Sequence, residues 1–281
     1  MREIPVAKIT AAVARMVQDS CLLLPSDVYQ ALQDSLEREP SPVGRNILGA
    51  LLENADIARQ ESIPICQDCG LAFVFLTVGQ DVHFVGGSLE EAINAGVAQG
   101  YQEGYLRKSV VNDPLFDRVN TQDNTPAIIH TRIIPGDRVH LTVATKGFGS
   151  ENQSVVRMLV PADGVDGVKR VVLEAVKAAG PGACPPLLVG VGIGGSLETA
   201  ALCAKRAAIR SVDSRHPDER YAALEDELLT LINRTGIGPQ GLGGRTTAIK
   251  VNIESAPTHI GAMPVAVNFN CHAVRHTETE L

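Results

Sequence analysis

The sequence predicts a mixed α/β fold of the α+β kind, in which a helical N-terminal part leads into a mixed, partly antiparallel sheet flanked by helices. Three observations predict it. Apolar residues recur at helical spacing through the first sixty positions. After the loop Pro64 to Gly70 the pattern changes to short apolar runs of strand length. The Pro135-Gly136-Asp137 turn then joins two of those runs as a hairpin would, so part of the sheet should be antiparallel.

Taken in order, residues 5 to 20 carry Val6, Ile9, Val13, Met16 and Val17 on one helical face. A second helix follows with Val28, Leu32 and Leu36 on one side. The third begins at Ser41-Pro42, where a hydroxyl suits the N-cap and proline the first turn, and it carries Ile47, Leu48, Leu51, Leu52 and Ile57. Strands are expected at Leu71 to Val78, Ala127 to Ile134, Val139 to Thr145, Leu187 to Ile193, Thr247 to Ile253 and Val265 to Phe269. A helix starts after Ser88, whose capping box is completed by Glu91, and others fit 164 to 179, 196 to 210 and 217 to 234. These elements suggest one domain with a helical lobe over about 1–62 and an α/β lobe over about 63–281. The polar segment Asn112 to Pro126 reads as a long ordered loop or a sub-lobe boundary.

Composition narrows the function. With 281 residues, 44% of them hydrophobic and 20% charged, the chain has material for a sizeable core. The 25 basic residues are dispersed among 32 acidic ones for a net charge of -7, which speaks against a nucleic-acid partner. No run approaches the roughly 18 apolar residues of a membrane span, so no membrane partner is expected, and the chain reads as unprocessed and cytoplasmic. Six scattered cysteines (Cys21, Cys66, Cys69, Cys184, Cys203 and Cys271) are too few for a disulfide scaffold and point to a reducing compartment.

Several segments carry chemistry. Ile65-Cys66-Gln67-Asp68-Cys69-Gly70 gathers thiols, an amide and a carboxylate at a strand entrance. It reads as a turn with two buried thiols or as half of a zinc site, although neither Cys184 nor Cys271 supplies a second local pair. Lys146-Gly147-Phe148-Gly149-Ser150-Glu151-Asn152 is a glycine-flanked turn whose backbone amides could meet an anion. In Gly180-Pro181-Gly182-Ala183-Cys184-Pro185-Pro186 the prolines hold a thiol on a stiff loop, which suits metal ligation. Gly190-Val191-Gly192-Ile193-Gly194-Gly195 has dinucleotide-fingerprint spacing, but Arg210 to Glu219 is too polar to be the second strand of such a fold. Its glycines could equally allow close packing of strand on helix, or leave amides at a helix N-terminus to meet an anion. The run Gly236-Ile237-Gly238-Pro239-Gln240-Gly241 and its continuation to Arg245 imply unusual backbone angles, and His259 stands in the loop Pro257 to Gly261 rather than on an apolar face.

Together, Cys66-Gln67-Asp68, the Lys146 to Asn152 turn, Cys184-Pro185-Pro186 with the glycine run behind it, Gly236 to Gly241 and Pro257-Thr258-His259 resemble the class I, iron–sulfur-dependent fumarate hydratases. The likeness runs over nearly the whole chain, and is to the α subunit of the two-subunit form. The related L-tartrate dehydratase α subunit shares the cysteine segments and the Gly236 to Gly241 run, whereas the Lys-Gly-x-Gly-Ser-Glu-Asn form looks more like fumarase.

The resemblance implies a single cluster-binding catalytic domain holding a 4Fe-4S cluster through Cys66, Cys184 and Cys271, with the fourth iron lacking a protein ligand. It implies reversible dehydration of (S)-malate to fumarate, a step of the tricarboxylic acid cycle. The alternatives are the same reaction on tartrate or another 2-hydroxy dicarboxylate and, more distantly, a nicotinamide-binding oxidoreductase. Gln67, Asp68, Arg107 and Gly149 would bind the substrate, and Asp68 and His259 would serve catalysis. The family usually has threonine where this chain has Cys69, which is expected to be packed or merely near the cluster. Because the chain ends at Leu281, ten residues after Cys271, a separate β subunit is expected to supply a threonine base, within a higher oligomer.

Overall fold

A computed structural model describes residues 1–281. The strands in chain order are β1 (Arg2–Pro5), β2 (Leu71–Gly79), β3 (Val82–Val85), β4 (Ile128–Ile134), β5 (Val139–Lys146), β6 (Val155–Leu159), β7 (Leu187–Gly194), β8 (Ala248–Ala256), β9 (Met263–Asn270) and β10 (His276–Glu280). The helices are α1 (Val6–Leu22), α2 (Ser26–Arg38), α3 (Pro42–Glu61), α4 (Leu89–Glu103), the single turn α5 (Phe148–Glu151), α6 (Gly164–Ala179), α7 (Leu197–Ala207) and α8 (Glu219–Asn233). This is the mixed α/β fold expected. Both anticipated caps are present: the Ser41 hydroxyl accepts from the Gly44 amide (3.2 Å) and that of Ser88 from Glu91 (3.4 Å). No helix is long and apolar enough to cross a membrane.

The chain forms two compact units that interleave in sequence. The first comprises residues 1–24, 57–148 and 275–281, and the second residues 25–56 and 149–274. The N-terminal helices therefore do not share one body: α1 belongs to the first unit and α2 to the second.

In the first unit the sheet order is β10-β5-β2-β4, with β1 and β3 forming a separate parallel pair. Here the hairpin expected at Pro135 to Asp137 is corrected. β4 and β5 do not pair with each other; β2 lies between them, parallel to β4 (Phe73↔Ile128) and antiparallel to β5 (Leu71↔Lys146). The physical reason is burial. β2 is apolar on both faces and must be central, whereas β4 leaves Ile128 and Ile133 exposed and suits an edge. The turn instead wraps the end of β2, where the Gly79 amide donates to Arg138 O (2.7 Å) and that of Gln80 to Ile134 O (2.8 Å). A Cβ at Gly79 would meet Gly136 O at 2.3 Å, so only glycine lets the turn pass. α1 and α4 pack closely because Gly96 and Gly100 leave room for Val13 and Val17. Residues 105–126 form an ordered loop folded around buried Asn124, whose side-chain oxygen accepts from the Ser109 (2.7 Å) and Val110 (3.2 Å) amides.

In the second unit the sheet order is β6-β9-β7-β8, with β7 parallel to β8 and antiparallel to β9. Leu187, Val189, Val191 and Ile193 of β7 join the apolar faces of α6 and α8 in one core. The intervening Gly190 and Gly192 face α7, where a Cβ would meet Ala204 O at 2.2 Å and Ala200 O at 2.0 Å respectively. The glycine run therefore serves close packing of strand on helix, one of the readings its spacing allowed.

Candidate active site

The first unit presents the Cys66 loop. The Ile65 amide donates to Cys21 O (2.9 Å), tying the loop to the end of α1. Cys66 is half-buried, with its thiol 3.4 Å from Gln67 Oε1. Cys69 points the other way, into the core, and is 1% exposed. Its sulfur accepts from the Arg107 amide (3.2 Å), and its carbonyl accepts from the Tyr101 hydroxyl (2.8 Å). The hydrogen bond from Cys21, against the cost of burial and with help from the Arg107 amide and Arg275, brings the Cys69 thiol down to about 7; the same bond, together with burial, pushes Cys21 up. A zinc half-site loses its second thiol by this arrangement, and Cys69 is packed as expected.

Asp68 is anchored at three points. Its two carboxylate oxygens accept from the amides of Gly70 (3.0 Å) and Phe148 (2.8 Å), and its carbonyl accepts from the Arg275 guanidinium. Arg275 is 5% exposed and lies against Gly147, where a Cβ would meet Nη2 at 2.6 Å. Arg275 gives little sign of itself in the sequence, where it is an isolated arginine directly behind the apolar Ala273-Val274 step. Gln67 and Arg107 are exposed, with the Arg107 backbone fixed to the Cys69 sulfur.

The second unit brings Cys184 and Cys271 together. Cys271 follows β9, whose Asn270 pairs with Leu188 of β7, and Cys184 stands just before β7. The His272 amide donates to Cys184 O (3.4 Å), so the two thiol-bearing segments run side by side. Both cysteines are half-buried. Cys184 takes a left-handed conformation (φ 54°), which costs roughly 1 kcal/mol or more for a non-glycine residue.

Gly149 is exposed, and the rest of its turn is held by Glu151, which pairs with Lys205 of α7 and accepts from Asn268 Nδ2 (2.8 Å). Burial lowers the Lys205 pKa against the pull of Glu151. The second unit does not bring His259 to the cysteines. His259 lies in the β8–β9 turn, beside Thr258, whose hydroxyl donates to Gly195 O at the far end of β7 from Cys184 (2.8 Å). The seven steps along β7 put roughly 23 Å between those ends. His259 is exposed and its Nδ1 accepts from the Gly261 amide (3.1 Å).

A sequence model of the family described as fumarate hydratase (Fumerase) matches residues 10–280. The chain belongs to this family. Among curated relatives, it is 39% identical over 276 residues to the “Putative L(+)-tartrate dehydratase subunit alpha” of Methanocaldococcus jannaschii, covering 95% of each chain. It is 35% identical over 274 residues to the L(+)-tartrate dehydratase subunit alpha of Escherichia coli K12, covering 96% of this chain and 89% of that one.

In this fumarate hydratase family member the glycine-rich loop Gly236 to Thr246 is organised by Glu39, a residue that stands in none of the sequence motifs. Glu39 is 2% exposed and its carboxylate accepts from the amides of Arg245 (2.9 Å), Thr246 (2.8 Å) and Ser41 (3.1 Å). Burial pushes its pKa up, but these amides and the Thr246 hydroxyl outweigh burial and hold it below the ordinary 4.5.

Proposed function

We propose that this chain is the α subunit of an iron–sulfur hydro-lyase that interconverts (S)-malate and fumarate, with Cys66, Cys184 and Cys271 as ligands of a 4Fe-4S cluster. The observation that carries this reading is the pairing of Cys184 and Cys271 on adjoining strand ends, half-buried rather than packed away. The donor set fits the group: thiolates are the ordinary ligands of such clusters, and Cys21 and Cys69 are buried in the core. When bound, the cluster would supply an open iron, a Lewis acid that makes hydroxide a tolerable leaving group.

The chain's own residues would do the rest. Arg107 offers a fork of donors suited to a substrate carboxylate, and the Gly149 amide is available to the other. Gln67 flanks Cys66 for substrate contact, and Asp68, held rigidly by two amides, serves substrate binding and proton transfer. Because β8 and β9 carry His259 to the opposite end of the sheet from Cys184 and Cys271, its action at that centre calls for a second copy of the chain. This agrees with a higher oligomer. Family members named as subunit alpha support a separate β subunit, to which we assign the general base. We place the chain in the cytoplasm, a reducing compartment that would keep such cysteines available as ligands.

The second reading is L-tartrate as substrate, favoured by the names of those relatives. Anaerobic reconstitution with the β subunit, followed by assays on both acids, separates the two. Turnover of (S)-malate at least tenfold more efficient than of tartrate is expected; the reverse assigns the tartrate reaction, and a full cluster without turnover of either overturns both. In the active form, Asp68→Asn should lower kcat at least a hundredfold with iron content unchanged.

A further inference from the structure

The Gly236 to Gly241 run has no part in the chemistry above, yet it touches both cysteine segments of the second unit. Gln240 is a non-glycine residue in the left-handed region (φ 52°), between Gly238 (φ 71°) and Gly241 (φ 73°). Its amide donates to Pro185 O (2.7 Å) and its side-chain Nε2 donates to the same carbonyl (2.8 Å). Nε2 also lies 3.2 Å from His272 Nδ1. A single side chain thus bridges the residue after Cys184 and the residue after Cys271.

Two further contacts close the clamp. Gly241 lies flush on Pro181, where a Cβ would meet the proline Cβ at 2.5 Å, and the Cys184 amide donates to Pro181 O (3.0 Å). His272 Nδ1, within reach of Gln240 Nε2, also lies 3.3 Å from Cys184 O, so the imidazole sits between the glutamine amide and the Cys184 backbone. Cys184 and Gln240 are both left-handed, and such conformations persist only where the surroundings over-determine them. Here each is held by the other through Pro185 O. A glycine at position 240 would adopt this backbone without strain, so what the glutamine adds there is its amide group.

We infer that Gln240 is a positioning residue that locks Cys184 and Cys271 in ligand register, making the Gly236 to Gly241 run a strap across the two cysteine loops. This rests on the proposed cluster ligation, and the role is to retain the cluster rather than to touch substrate.

The test compares the wild-type chain with Gln240→Glu, which keeps length but removes both side-chain donors, and Gln240→Gly, which keeps the backbone and relieves its strain. Leu242→Ala, on an exposed side chain of the same loop, is the control. After anaerobic reconstitution with iron and sulfide, the loss of iron and of the cluster absorption band is followed under a chelator. Both Gln240 variants should lose the cluster at least tenfold faster than wild type and the control, while the melting temperature of apo Gln240→Gly stays at or above the wild-type value. In the apo chain, the His272 amide should exchange at least tenfold faster in both variants. Unchanged cluster lifetime in Gln240→Glu and Gln240→Gly overturns the inference. Should wild type itself take up no cluster, the ligation proposal fails, and unchanged His272 exchange then overturns the strap by itself.

Discussion

In the first unit the Cys66 to Gly70 loop is pinned from beneath by a buried thiol, whereas in the second the Gly236 to Thr246 loop is pinned by a buried carboxylate. Cys69 works on both side chain and backbone: it shares a hydrogen bond with Cys21, which also lies 3.4 Å from Thr145 Oγ1, and its sulfur receives the Arg107 backbone amide. Glu39 works on backbone alone except for the Thr246 hydroxyl. The glycines at the two helix seams differ in degree. In the first unit a Cβ at Gly100 would meet the Val17 side chain (2.1 Å) and then Ala14 O (2.5 Å), while at Gly192 in the second its two nearest atoms are both backbone, Ala200 O (2.0 Å) and Ala204 N (2.5 Å). A side chain can rotate away from an intruder and backbone held in a helix cannot, so position 192 should tolerate a Cβ less well than position 100.

The sharpest way to break this comparison is the glycine pair. Gly192→Ala should cost about 3 kcal/mol or more, because α7 must lift from β7, while Gly100→Ala should cost about 2 kcal/mol because Val17 can partly adapt. Urea unfolding of both variants would measure this, and equal losses would end the distinction. Next comes Glu39→Gln, expected to cost about 2–3 kcal/mol by placing an amide donor against amide donors. Since the folded pKa of Glu39 lies below its ordinary 4.5, its contribution is present above that value and lost as pH falls through the folded one. Wild type should therefore lose stability on acidification below about pH 4.5 more steeply than Glu39→Gln, as urea midpoints at a series of pH values would register.

A smaller effect is expected for Cys69→Ala, roughly 1–2 kcal/mol for a small buried group with one lost acceptor. Iron content after reconstitution should be unchanged; loss of the cluster would instead make Cys69 a ligand. The smallest belongs to Ser88→Ala, about 1 kcal/mol from one lost cap on α4, visible as a modest fall in melting temperature.

Much of the fold was legible because its signals are local. Ser41 and Ser88 cap the helices they precede, α6 occupies residues 164–179, and the long apolar strands lie where their runs lie. β10, written His-Thr-Glu-Thr-Glu, was not legible, because an edge strand pairing only with β5 needs no apolar pattern. For the candidate site, local context brought Cys66, Asp68 and Cys184 forward, and the family resemblance joined them to Cys271.

What the sequence by itself determined was element type, helix ends and family, since periodicity, capping groups and motif residues act within a few positions of one another. Only the tertiary structure decided the rest. It turned Cys69 inward and left Cys66 half-buried, set Arg275 on the Asp68 carbonyl, carried His259 to the far end of β7, and put β2 between β4 and β5. Each of these depends on which faces must be buried together across tens of residues to some two hundred, or on a strand's whole length, and no local pattern encodes that.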